Sequence, residues 1–133
     1  MAIIVGYVPT PDGAAALDSA IEEARRRGRR LVVVNSSRGE SLVDPRFAST
    51  ADWDSVEKRL SESGVEYELT RTVESKDAAE HIVALAHDLN AELIVIGIRR
   101  RTPVGKLFLG SQAQTILLQA ECPVLAVKGN TKA

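Results

Sequence analysis

The sequence predicts a small α/β domain, a doubly wound five-stranded parallel sheet of order 3-2-1-4-5 with helices on both faces. Short apolar runs alternate with amphipathic helical patterns along the whole chain of 133 residues. Four of the five strand runs contain an unbroken apolar stretch, at residues 2–5, 31–34, 93–96 and 124–127, as strands covered on both faces do. The remaining run, Val65 to Val73, alternates apolar with polar residues and so belongs at an edge. With that strand at one edge, strand order reverses between the first and fourth strands, where such sheets bind ligands beyond their carboxyl ends.

Ala2 to Val8 is a β-branched run closed by Pro9-Thr10-Pro11, a buried strand followed by a loop reaching Gly13. Leu17, Ala20, Ile21, Ala24 and Gly28 then recur along one helical face, and Arg25, Arg26 and Arg27 make a solvated, basic helix end that suits the macrodipole. Leu31 to Val34 is a second strand. Glu40 to Ala48 has no clean period and reads as a loop. The spacing of Trp53, Val56 and Leu60 predicts a helix from Ser49 or Thr50 to Ser63, stopped by Gly64. After the alternating strand, Ser75 is placed to cap a helix with Ala79, Ile82, Val83, Ala86 and Leu89 on its buried stripe, ended by Asn90. His81 and His87 lie six apart on it, not the i, i+4 spacing of a metal pair, and read as surface or satisfied histidines. Glu92 to Ile96 is the fourth strand. A last helix, Gln112 to Glu121, precedes Cys122-Pro123 and the strand Val124 to Val127.

Composition excludes several classes. The formal net charge is -1, so nothing draws the chain to nucleic acid or an anionic membrane. One cysteine, Cys122, allows no internal disulfide and reads as an inert packed thiol. No apolar run approaches the ~20 residues of a membrane span, and the N-terminus has no secretory pattern. The expectation is one cytoplasmic domain, residues 1–133.

Chemistry concentrates between Gly97 and Ser111, in GIRRRTPVGKLFLGS. Gly97 is placed to turn the chain as the fourth strand ends. Gly110-Ser111 opens the next helix, with Ser111 as N-cap and Gln114 completing a capping-box spacing. Helix N-termini bind phosphate, and Arg99, Arg100, Arg101 and Lys106 add positive charge. This points to an anion site, with a solvated surface loop as the alternative. The last strand is apolar although it too falls at an edge, which predicts a homodimer through residues 124–127, with coverage by the polar tail from Lys128 as the alternative.

The order of elements, the loop from Gly97 to Gly110-Ser111 and the closing Cys-Pro-Val-Leu-Ala-Val together resemble the universal stress protein family over nearly the whole chain. The resemblance implies a cytoplasmic, usually dimeric protein; the residues themselves predict no enzyme, because apart from Asp12 the expected crevice offers no evident general base. Its nucleotide-binding branch holds ATP at Gly-x-x-Gly-(nine)-Gly-Ser/Thr. Gly97, Gly110 and Ser111 match that loop, whereas Arg100 replaces the second glycine and Val8 stands where the branch carries a nucleoside-contacting aspartate. The expected ligand is an adenine nucleotide, ATP first, with or without Mg. The base would lie against Val8 and Val34, and the phosphates over Gly110, Ser111 and the Gln112 N–H with Arg99 or Arg100 beside them. The alternative is a nucleotide-independent dimeric interaction protein of the stress response.

Other nucleotide folds fail on spacing. A P-loop needs glycine where Arg100 stands and Ser or Thr where Leu107 stands, and a dinucleotide fold needs Gly-x-Gly-x-x-Gly where Pro9 to Gly13 lies. No Gly-x-Ser-x-Gly elbow occurs for a hydrolase. Asp12 is the one carboxylate near the expected crevice that could act as a general base.

Overall fold

The computed structural model describes residues 1–37, 50–73, 78–98 and 111–129. Strands and helices alternate there as β1 (Ala2–Gly6), α1 (Pro11–Arg27), β2 (Arg30–Ser37), α2 (Thr50–Ser63), β3 (Tyr67–Val73), α3 (Ala78–Asp88), β4 (Leu93–Ile98), α4 (Ser111–Gln119) and β5 (Val124–Lys128). All pairings are parallel, in the order β3-β2-β1-β4-β5, as the patterning predicts.

Period-two alternation sorts the strand side chains between two cores. Ile3, Val5, Leu31, Val33, Leu93 and Val95 face α1 and α2, where they meet Leu17, Ile21, Val56 and Leu60. Ile4, Val32, Val34, Ile94 and Ile96 face α3 and α4, against Ile82, Ala86 and Ile116. Ile3, Ile4, Leu31, Leu60 and Ile94 are completely enclosed, and burying each such side chain is worth ~1.5–3 kcal/mol. Edge strand β3 lends Tyr67 and Leu69 to the first core while Glu66 and Glu68 stay in water. Trp53 packs on the same core and its ring lies 6.3 Å from that of Tyr7.

Several boundaries differ from the expectation. α1 starts at Pro11, with Thr10 as N-cap, so Asp12 and Gly13 are helical rather than loop. Proline fits the first helical position because its missing N–H would be unpaired there anyway. Gly28 ends α1 as a left-handed cap at φ 63°, off the helical face assigned to it. Gly64 and Asn90 adopt left-handed φ after α2 and α3, as their stop positions imply. α4 runs from Ser111, one residue earlier than expected, and stops at Gln119. The loop from Glu40 to Ala48 and the cap at Ser75 lie outside the described residues.

At the amino end of the sheet, Glu92, just before β4, is tied to the end of α1 and to the turn before β2. Arg27 Nη1 lies 2.9 Å from Glu92 Oε2 and Arg29 Nε lies 2.7 Å from Oε1. Arg27 hydrogen-bonds to Glu92, and that bond, with Arg29 beside it, holds the Glu92 carboxyl below its usual range. Arg25, Arg26 and Arg27 also pair with Glu22 or Glu23, so the basic end of α1 is exposed but its arginines are engaged with carboxylates of the same helix.

A notch beside the central strand

The central strand is shorter than its neighbours. β1 pairs with β4 from Ile3↔Leu93 to Val5↔Val95 and with β2 as far as Gly6↔Val34. β2 continues beside β3 to Ser37↔Val73, and β4 beside β5 to Ile98↔Lys128. A notch therefore opens at the carboxyl end of β1, at the reversal of strand order.

Sequence sets where β1 leaves. Tyr7 N donates to Val34 O at 2.8 Å. Two residues on, Pro9 has no N–H with which to extend the parallel ladder. Asn35, 1% exposed, instead donates its side-chain amide to Tyr7 O at 2.8 Å. The chain then turns: Thr10 N donates to Val8 O at 2.8 Å, and Thr10 Oγ1 accepts from Gly13 N at 3.2 Å.

Glycines let the first turn of α1 press into this place. A Cβ on Gly13 would stand 1.8 Å from Val8 O, one on Gly97 2.3 Å from Asp12 O, and one on Gly129 2.7 Å from Asp12 Cα. Gly97 thus lies within β4 as a point of close approach, not as the turn after the strand. Asp12 is 8% exposed, wedged against the ends of β4 and β5.

On the opposite face, α4 runs back towards the amino end of the sheet. Its C-terminal end is followed by Pro123, whose carbonyl accepts from Ile94 N at 3.0 Å. A nine-residue helix is ~14 Å long, so the first turn at Ser111 and Gln112 lies towards the carboxyl ends of the strands. Val8 lies two residues beyond β1 and Gly97 one residue before the end of β4, whereas Val34 lies within β2, beside Gly6 and three residues before the strand ends. Val8 is half-buried, but Val34 is 1% exposed and packs in the core on the α3 and α4 side of the sheet. Gln112 is half-buried. Arg99, Arg100 and Gly110, with Arg101 and Lys106, lie outside the described residues.

Other reactive groups stand apart. Burial, then the charge of Asp52, raises the Tyr7 phenol pKa. Burial raises the Cys122 thiol pKa as well, which disfavours the thiolate. His87 Nδ1 pairs with Glu121 across 3.3 Å on an exposed surface. The covered Nδ1 of His81, expected to be satisfied if not exposed, makes no hydrogen bond among the described residues. Among the described residues no three His, Cys, Asp or Glu groups gather as a metal site, and no helix is long and apolar enough to cross a membrane. A polar groove of about 580 Å³ runs between α1 and α2, where Asp18 and Arg59 form an ion pair; none of the expected site residues lines it.

Asn35, Gly13 and Gly129 were not among the expected site residues. The one available signal for Asn35 was a polar residue directly after four apolar ones in a central strand. The backbone approach that makes Gly13 and Gly129 necessary is visible only in the folded chain.

The family model for the universal stress protein family matches residues 1–128. A universal stress protein of Mycolicibacterium smegmatis is 48% identical over 126 residues, covering 95% of this chain and 96% of that one. Among solved structures, a universal stress protein from Archaeoglobus fulgidus superposes with a TM-score of 0.78 at 32% identity, covering 96% of this chain and 98% of that chain. A universal stress protein from the same organism in complex with dAMP gives a TM-score of 0.72 at 27% identity, with the same coverage. The sheet order, the notch at its reversal and a match reaching from the first residue to the end of β5 agree: this chain belongs to the universal stress protein family.

Proposed function

We propose that this protein is a stress-response module that binds an adenine nucleotide in the notch and works as a cytoplasmic homodimer rather than as an enzyme. The observation that carries the reading is the short central strand, whose pairing with β4 stops at Val5↔Val95 while β4 runs on to Ile98, so that strand order reverses beside the β1 exit at Val8. A helix N-terminus favours phosphate, and a relative of the same fold is known in complex with dAMP. The base would lie against Val8 and Val34, the phosphates at Gly110, Ser111 and the Gln112 N–H, with Arg99 or Arg100 supplying charge. ATP, with or without Mg, is the first ligand to try.

Homodimerisation finds support at β5. Ile94 N donates to Pro123 O and Gly129 N to Ile98 O. The parallel ladder alternates, so the N–H groups of Val124, Ala126 and Lys128 point to the open edge. Val124 to Val127 are half-buried, and α4, which precedes β5, exposes Leu117 by 41% and Leu118 by 84%. A second copy adding its own β5 would pair these edge groups.

Val34 gives the rival reading, nucleotide-independent interaction with a protein partner, its own support, because a fully covered valine offers no contact to a base unless something shifts. Calorimetric titration with ATP, Mg-ATP and AMP separates the two. Saturable binding that weakens by about tenfold in Ser111→Ala is expected, with Arg100→Gly reporting whether that arginine assists or obstructs. Absence of binding by the wild type to every adenine nucleotide would overturn the reading.

A further inference from the structure

The geometry points to Gly6 as the position that lets the flat ring of a nucleotide base lie directly on the β1 main chain, an inference that rests on the nucleotide reading above. A glycine within a strand has no side chain to pack and weakens the strand, so it commonly marks a bulge or a place where a ligand or another backbone comes close. Each of the other described glycines meets a need of the fold. Gly28 and Gly64 take left-handed φ, and a Cβ on Gly13, Gly97 or Gly129 would strike main-chain atoms of Val8 or Asp12 at 2.7 Å or nearer. Gly6 meets neither need. Its φ is not left-handed, and β1 keeps regular register with β2 to Gly6↔Val34, so no bulge requires it. Among the described residues, a Cβ there would meet only side-chain atoms, Ile82 Cδ1 at 2.9 Å and Ile96 Cγ2 at 3.9 Å. The tip of an isoleucine can turn to another rotamer, whereas a main chain cannot give way.

The place of the missing side chain matches a ligand's needs. Ile82 and Ile96 belong to the core on the α3 and α4 side, so position 6 faces that layer, the one that holds α4. On the opposite face the β1 exit is closed, because Tyr7 packs there against Trp53. Val34 of β2 and Ile96 of β4 flank Gly6 and are enclosed, whereas Gly6 between them is only half-buried. The row of side chains across the sheet is therefore interrupted at the last residue of the central strand, where strand order reverses. A planar ring laid there, with the Ile82 tip turned aside, rests on the Gly6 main chain. A methyl group at position 6 would hold the ring off the strand.

Ile82→Val removes Cδ1, the nearest described atom to an added Cβ, and so separates clearance for the fold from clearance for a ligand. AMP affinity by calorimetry and thermal unfolding are measured for the wild type, Gly6→Ala, Ile82→Val and Gly6→Ala/Ile82→Val. The double variant is expected to melt within about 4 °C of Ile82→Val and to bind AMP about tenfold or more weakly than Ile82→Val does. Gly6→Ala against the wild type gives the same comparison with the isoleucine tip in place. A double variant with the AMP affinity of Ile82→Val overturns the inference and leaves Gly6 as a seat for the Ile82 side chain. A double variant that unfolds, or melts far below Ile82→Val, overturns it too, because the fold itself then needs the glycine. A wild type that binds no adenine nucleotide overturns the parent reading and this one together.

Discussion

Gly97 of β4 and Asp12 of α1 meet through their backbones, with the Asp12 carbonyl oxygen where a Gly97 Cβ would have to sit. The contact joins the strand that leads into the Gly97 to Ser111 segment to the helix that leaves the β1 exit. It makes the spacing of the two sides of the notch a property of main chain, not of adjustable side chains.

Gly97→Ala should therefore destabilise the fold by about 3 kcal/mol, since a methyl group 2.3 Å from a carbonyl oxygen forces one element to move. Gly28→Ala is the comparison. Its φ of 63° is strained for alanine but its Cβ would meet nothing within 4 Å, which predicts a cost of about 1 kcal/mol. Urea unfolding of both variants checks this, and equal midpoints would show that the close approach is not restrictive.

The Glu92 pair should make stability depend on pH in a defined direction. Arg27 and Arg29 lower the folded-state carboxyl pKa below the usual 4.5. Its contribution is present above the unfolded value and is lost as pH falls through the lower folded value. Unfolding midpoints of wild type and Glu92→Gln should differ at pH 7 and converge as the solution is acidified below about pH 4. A gap that stays constant to pH 3 would assign the difference to something other than ionisation.

Ala126→Pro removes an N–H that faces the open edge and leaves the β4 side of the ladder intact. Together with Leu118→Glu on the exposed face of α4, it should convert a dimer to a monomer at tens of micromolar while far-ultraviolet circular dichroism is unchanged. Sedimentation velocity reads the outcome. A wild type already monomeric, or a double variant still dimeric, would remove β5 and α4 from the interface.

The local pattern of this sequence was enough to determine its elements, their faces and their order. Fully apolar runs at residues 31–34 and 93–96 can be satisfied only between two layers of helices, and the alternation in β3 suits that strand to an edge. From these the reversal beside β1, and so the neighbourhood of a site, followed by topology. Main-chain approach over long sequence separation was decided by the tertiary structure alone. Gly97 looked like a turn because a glycine at a strand end commonly is one; packing against Asp12, 85 positions away by subtraction of the two residue numbers, shows that it is a point of contact. Asn35 looked like the end of a strand, yet its amide donates to the carbonyl of Tyr7, 28 positions away in sequence and brought beside it only by the pairing of β1 with β2. Periodicity reports which face a residue occupies, whereas the room and the partners it finds there depend on elements that folding brings from elsewhere in the chain.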